Sequence, residues 1–176
     1  VALCEPGFID GAEGENGAPV RYAATTESAG MMATLVAEGA RTLTFVRSRR
    51  AAETVALRTA EELSGSLGRP DFARRIAAYR AGYLAEDRRK LEHALDDGTL
   101  LGVATTSALE LGIDVGGLDA VVIAGFPGTV ASFWQQAGRA GRRGQGSVVV
   151  LVARDEPLDP YLVNHSVALL GRPVEA

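Results

Sequence analysis

Gln135-Gln136-Ala137-Gly138-Arg139-Ala140-Gly141-Arg142-Arg143-Gly144 is the stretch on which the reading of this chain turns. Glycine costs a helix about 1 kcal/mol relative to alanine, so two glycines at a helix end mark a place where backbone comes close to something. Arginine brings a permanent charge and a planar fork of donors that suits phosphate. Arg139 and Arg142 have the spacing that puts two side chains on one helical face. The segment therefore reads as a phosphate-facing edge. The competing reading is a flexible, solvated Arg/Gly linker. The apolar runs on either side, Thr129 to Trp134 and Ser147 to Ala153, count against it.

Working outward, Ala120 to Ala124 and Ser147 to Ala153 are nearly all apolar, as strands covered on both faces in parallel sheets are. Arg41 to Val46 and Leu100 to Thr105 are further strand candidates, and Ile76 to Tyr79 is a brief one. Thr25-Thr26-Glu27-Ser28 caps a helix to about Ala37, with Gly39 just past its end. Ser48 is a good N-cap for a helix from about Arg49 to Leu63. In that helix Ala52, Val55, Ala56, Thr59 and Leu63 recur at helical spacing. Leu84 to Leu95 reads as a charged amphipathic helix with Leu84, Leu91 and Leu95 inward and Gly98 at its C-terminus. Thr106 to Leu111 reads as a short helix before Gly112. Strand and helix alternate, which predicts a three-layer α/β fold with a mostly parallel central sheet. In such sheets ligands sit beyond the carboxyl ends of the strands. Residues 1–24, punctuated by Gly11, Gly14 and Gly17, read as a linker or irregular N-terminal segment, leaving residues 25–176 as the domain.

Bulk properties narrow the function classes. The 176 residues fit one domain and suffice for a real core. Hydrophobic content of 47% and charged content of 23% are those of an ordinary soluble globule. No apolar run approaches the roughly 18 residues of a membrane helix, and no signal peptide is visible. No membrane partner and a cytoplasmic setting are therefore expected. The net charge of −4 is not that of a free-standing nucleic-acid binder, so any such contact must be local. Cys4 is the sole cysteine, which excludes an internal disulfide and a Cys-rich zinc site; no metal site is expected. Lys90 is the sole lysine and lies in Arg88-Arg89-Lys90-Leu91, so the chain holds no P-loop. It begins at Val1 rather than Met, so a piece of something longer is expected.

Other residues carry candidate chemistry. Thr105, Thr106 and Ser107 place hydroxyls and N–H groups at the opening of a short helix, and helix N-termini bind anions such as phosphate. Asp114, in Gly112-Ile113-Asp114, either accepts from ribose hydroxyls or stabilises a turn; on residue types alone the turn is favoured. Phe133 and Trp134 either stack on a base or belong to the core, and core is favoured. His93 and His165 read as surface residues, and Glu86-Asp87-Arg88-Arg89-Lys90 as a solvated helix face.

Four segments together resemble a known family. Gln135 to Arg142 matches the Q-x-x-G-R-x-G-R motif VI of superfamily 2 helicases, and Thr106 to Asp114 resembles their motif V. Leu43-Thr-Phe-Val-Arg-Ser48 resembles motif IV, and Tyr79-Arg-Ala-Gly82 resembles the Y-H-A-G segment, with Arg80 in place of the usual histidine. The order and approximate spacing are the family's. The chain thus resembles the second RecA-like domain of such a helicase, most of all in the bacterial SftH/MrfA-type DNA helicases. Ala104 to Asp114, Trp134 to Gly144 and Arg154-Asp-Glu-Pro-Leu-Asp-Pro-Tyr161 carry that likeness.

The resemblance implies an ATP-driven, 3′-to-5′ translocase on single-stranded DNA, with a part in DNA repair. Family members also carry a cysteine-rich C-terminal region, which these residues do not include. The resemblance further implies that Arg139 and Arg142 are catalytic arginine fingers reaching ATP on a preceding RecA-like domain of the same parent chain. That domain would carry the P-loop and the Mg²⁺-binding carboxylates. Gln135, Gly112 and Asp114 correspond to ATP-site positions. Arg47, Ser48, Gly82 and Thr106 correspond to positions that touch the nucleic-acid backbone. Arg143 reads as a salt-bridging or surface residue. Motif VI here differs from the H-R-x-G-R-x-x-R form of DEAD-box RNA helicases, which favours DNA. An RNA helicase half and a non-catalytic nucleic-acid-binding scaffold domain are the alternatives.

Overall fold

The computed structural model describes residues 2–4, 8–13, 19–21, 24–79, 84–106, 117–141 and 146–153. Its centre is a run of parallel strands with almost no polar side chains. These are β4 (Thr42–Phe45), β6 (Gly102–Thr105), β7 (Ala120–Ala124) and β8 (Val148–Val152); every residue in them is buried except Val148. Strands this apolar must be covered on both faces.

Helices supply that cover among the remaining elements. In chain order those elements are β1 (Ala2–Cys4), β2 (Phe8–Glu13), β3 (Pro19–Arg21), α1 (Ala24–Ala37), α2 (Arg49–Ser64), α3 (Pro70–Ala73), β5 (Ile76–Ala78), α4 (Ala85–Asp97) and α5 (Val130–Ala137). The main sheet has the order β1-β8-β7-β4-β6-β5, with every pairing parallel. Met32 and Val36 of α1 and Ala52, Val55 and Leu63 of α2 pack on one face, with Ala104 of β6. Leu91 and Leu95 of α4 and Phe133 and Ala137 of α5 pack on the other, against Leu43, Phe45, Val121 and Ile123. The three-layer α/β sandwich expected from the sequence is therefore present, and its fold is RecA-like.

Local signals set the element ends. The Ser48 hydroxyl accepts a hydrogen bond from the Ala51 N–H at 3.0 Å, starting α2 as expected. Gly98 closes α4 with φ +84°, a left-handed conformation that disfavours a side chain. Three expectations need correction, and one element is additional. Residues 1–24 contain the strands β1, β2 and β3 rather than only irregular chain, and β1 joins the main sheet beside β8. Leu84 is exposed, because it is the residue before α4 and not part of its inward face. The short helix α3, with Pro70 in its first turn, is an element that the sequence patterns above do not include. Thr105 is fully buried and its hydroxyl has no hydrogen-bond partner, so it does not present that group beside Thr106.

Candidate functional site

The connections around the sheet create a crevice. After β4 the chain crosses toward β5 with α2 on one face; after β7 it moves to β8 with α5 on the opposite face. Neighbouring strands β4 and β7 thus send their connections apart, and a hollow opens at their carboxyl ends. Ligands bind at such switch points in open α/β sheets. The hollow is about 230 Å³ and is lined by Phe45, Val46, Arg47, Thr106, Ala124, Gly125, Pro127, Ser132 and Gln136. Among the described residues, its polar side chains are one arginine, two hydroxyls and one amide. That donor set suits an anion. A larger hollow of about 670 Å³ lies between α1 and α2, lined by Glu27, Arg58, Glu61 and Glu62 among others, and contains none of the candidate site residues.

Each lining side chain is placed by a strand or helix end. Arg47 follows β4, whose extension is fixed by the Val46 N–H donating to the Thr105 carbonyl at 2.8 Å. Arg47 is exposed, and its Nη2 donates to the Phe126 carbonyl at 3.4 Å, leaning toward the turn between β7 and α5. Thr106 directly follows β6 and is half-buried. Gly125 turns the chain out of β7 with φ +92°. At the start of α5 the Thr129 hydroxyl accepts from the Ser132 N–H at 3.0 Å and donates to Ser132 Oγ at 2.9 Å. This double contact caps the helix and orients Ser132 at the hollow.

The structure therefore brings two of the expected backbone-contacting residues, Arg47 and Thr106, to one hollow, with Ser48 next to it at the α2 N-cap. Gln135 and Arg139 lie elsewhere. Gln135 is exposed, whereas its neighbour Gln136 is buried and lines the hollow. Successive helical residues point about 100° apart, so α5 presents the two amides to different surroundings. Arg139 is not on a helical face, because α5 ends at Ala137 and Gly138 is its cap. Its backbone is held in the following turn: its N–H donates to the Gln136 carbonyl at 3.2 Å, and its carbonyl accepts from the Leu118 N–H at 3.1 Å. Gly141 takes φ +106°, so its lack of a side chain answers a backbone need. Phe133 is core as expected, and Trp134 is packed against the same cluster. His93 is exposed and its Nε2 lies 3.6 Å from Asp97 Oδ2. Gly82, Ser107, Gly112, Asp114, Arg142, Arg143 and His165 lie outside the described residues.

Sequence and structure comparisons place this geometry in a family. The model of the helicase conserved C-terminal domain matches residues 27–144. The chain belongs to that family. The ATP-dependent helicase HRQ1 of Saccharomyces cerevisiae is 44% identical over 144 residues, covering 82% of this chain and 13% of that protein. The crystal structure of the DUF1998 helicase MrfA bound to DNA superposes with a TM-score of 0.85 at 36% identity, covering 99% of this chain and 22% of that one. Its complex with DNA and AMPPNP gives 0.83 at 36% identity, covering 99% and 23%. The domain is thus of the type found in superfamily 2 ATP-dependent helicases, and it spans less than a quarter of each of these relatives. Among its described residues no helix is long and apolar enough to cross a membrane.

Proposed function

We propose that the chain is the second motor domain of an ATP-dependent superfamily 2 DNA helicase, a 3′-to-5′ translocase on single-stranded DNA. One observation carries this reading: Arg47 and Thr106, from separate segments, line one hollow at the carboxyl ends of the strands, beside the helix that leads to Arg139. A hollow that offers guanidinium, hydroxyl and amide donors is chemically matched to a phosphodiester backbone. Ser48 supports the same track, since an N-cap hydroxyl that accepts from the backbone keeps its own proton to donate. Gly82 would let a backbone phosphate approach closely.

The nucleotide lies on another side of α5. Arg139 and Arg142 reach ATP bound by the preceding RecA-like domain, with Gln135, Gly112 and Asp114 ordering that side. Fixed guanidinium charge there offsets negative charge developing on the transferred phosphoryl group. That preceding domain contributes the P-loop and holds Mg²⁺. Opening and closing of the two halves around ATP moves the pair along the strand. This chain alone hydrolyses no ATP, since it has no P-loop lysine; turnover by the pure domain would contradict the reading.

The test is competition between matched DNA and RNA single strands for the full-length parent, together with strand displacement from 3′- and 5′-tailed duplexes. DNA preference and action from the 3′ tail are expected. Preference for RNA would move the domain to an RNA helicase, and unwinding from the 5′ tail would reverse the polarity.

A further inference from the structure

The sequence pattern selects Gln135, yet the glutamine in the hollow is Gln136. Only 8% of Gln136 is exposed, and it shares the lining with Arg47, Thr106 and Ser132. Its Oε1 is shut away from solvent and has no hydrogen-bond partner. An amide at this depth on a helix would ordinarily be apolar or tied to a neighbour, because an unpaired buried carbonyl is costly. Gln136 is neither. With no hydrogen bond to its carbonyl, turning the terminal amide breaks nothing, and such torsions have broad, nearly two-fold wells. The amide is thus free to present its NH₂ to an anion entering beside Arg47.

We propose that Gln136 is a strand-binding residue, donating through Nε2 to a phosphate oxygen of single-stranded DNA that enters the hollow lined by Arg47, Thr106 and Ser132. The proposal rests on the reading of this hollow as part of the strand track. Gln136 also lies on the helix whose end leads to Arg139, so a strand held here bears directly on the element that faces the nucleotide.

The experiment measures binding of a fluorescent oligothymidylate to the full-length parent without nucleotide, by anisotropy, for wild type, Gln136→Met, Gln136→Glu and Arg47→Ala, with the melting temperature of each. Gln136→Met keeps the chain length and removes both polar atoms. It is expected to weaken strand binding about tenfold, the scale of one hydrogen bond to a charged group, with a melting temperature equal to or above that of wild type. Gln136→Glu sets a carboxylate against the phosphate and is expected to bind more weakly still, with a steeper loss at low salt. Unchanged strand affinity in Gln136→Met, or a lowered melting temperature with affinity retained, would overturn the proposal and make Gln136 a packing residue. If Arg47→Ala also leaves affinity unchanged, the strand-track reading of the hollow falls; if Arg47→Ala weakens binding and Gln136→Met does not, only the role of Gln136 falls.

Discussion

Removing the ring of Phe133 should loosen the helix on which both sides of the site depend. Phe133 has no exposed surface. Its ring lies 6.4 Å from that of Phe126, tilted by 31°, and 5.1 Å from that of Trp134 in an edge-on arrangement at 75°. It belongs to the cluster that joins α5 to Phe45 of β4 and Ile123 of β7. In Phe133→Ala the cluster loses a ring that rigid strands cannot collapse to replace. Such truncations cost about 3–5 kcal/mol. For a domain of this size each kcal/mol lowers the melting temperature by about 2–4 °C, so a fall of about 6–20 °C is expected. Scanning calorimetry of the domain, with urea unfolding beside it, measures this. Phe133→Leu retains most of the volume and should lose clearly less. A fall below about 2 °C for Phe133→Ala would refute the reasoning, because it would mean that α5 is not anchored through this ring.

Two other perturbations probe the sheet and a helix end. A Cβ at Gly102 would stand 2.5 Å from Met32 Cε and 2.9 Å from Ile76 Cδ1. Gly102→Ala should therefore destabilise by about 1–2 kcal/mol, overpacking outweighing the better strand propensity of alanine; a raised urea midpoint would contradict this. The Thr99 hydroxyl and N–H, with a smaller effect from His93, hold the Asp97 carboxyl below its ordinary range. Its stabilising effect should be full above about pH 4 and lost as pH falls through the lowered folded-state value. The stability difference between wild type and Asp97→Asn should shrink over that acidic window; a difference that grows there would contradict the assignment.

Much of the fold was legible because its elements carry strong local signals. The run from Ala120 to Ala124 is wholly apolar and forms β7 over those residues. Ser48 followed by an apolar stripe at helical spacing marked α2, and the hydroxyl makes the expected cap. The misreadings have local causes too. Leu84 has the right spacing from Leu91 but lies outside the helix, so periodicity counted from it misleads. The three-residue interval between Arg139 and Arg142 means a shared face only if the helix continues, and Gly138 stops it. The strand pairing of Ala2–Cys4 depends on β8, far along the chain, which no local pattern reports.

For the site, the strand-end positions of Arg47 and Thr106 followed from reading β4 and β6. Gln136 was missed because pattern matching favoured Gln135. Counting from Phe133 would have found it, since Val130, Phe133 and Gln136 recur every three residues and all three are buried.

The central claim is that motif VI of this domain acts on ATP held by a partner domain. Single-stranded-DNA-stimulated ATP hydrolysis by the full-length parent, compared with its Arg142→Ala variant and with nucleotide binding measured alongside, tests it most directly. The account predicts a fall in turnover on the order of a thousandfold or more, with nucleotide binding largely kept. Turnover equal to that of the wild type would contradict it and make the domain a nucleic-acid-binding scaffold.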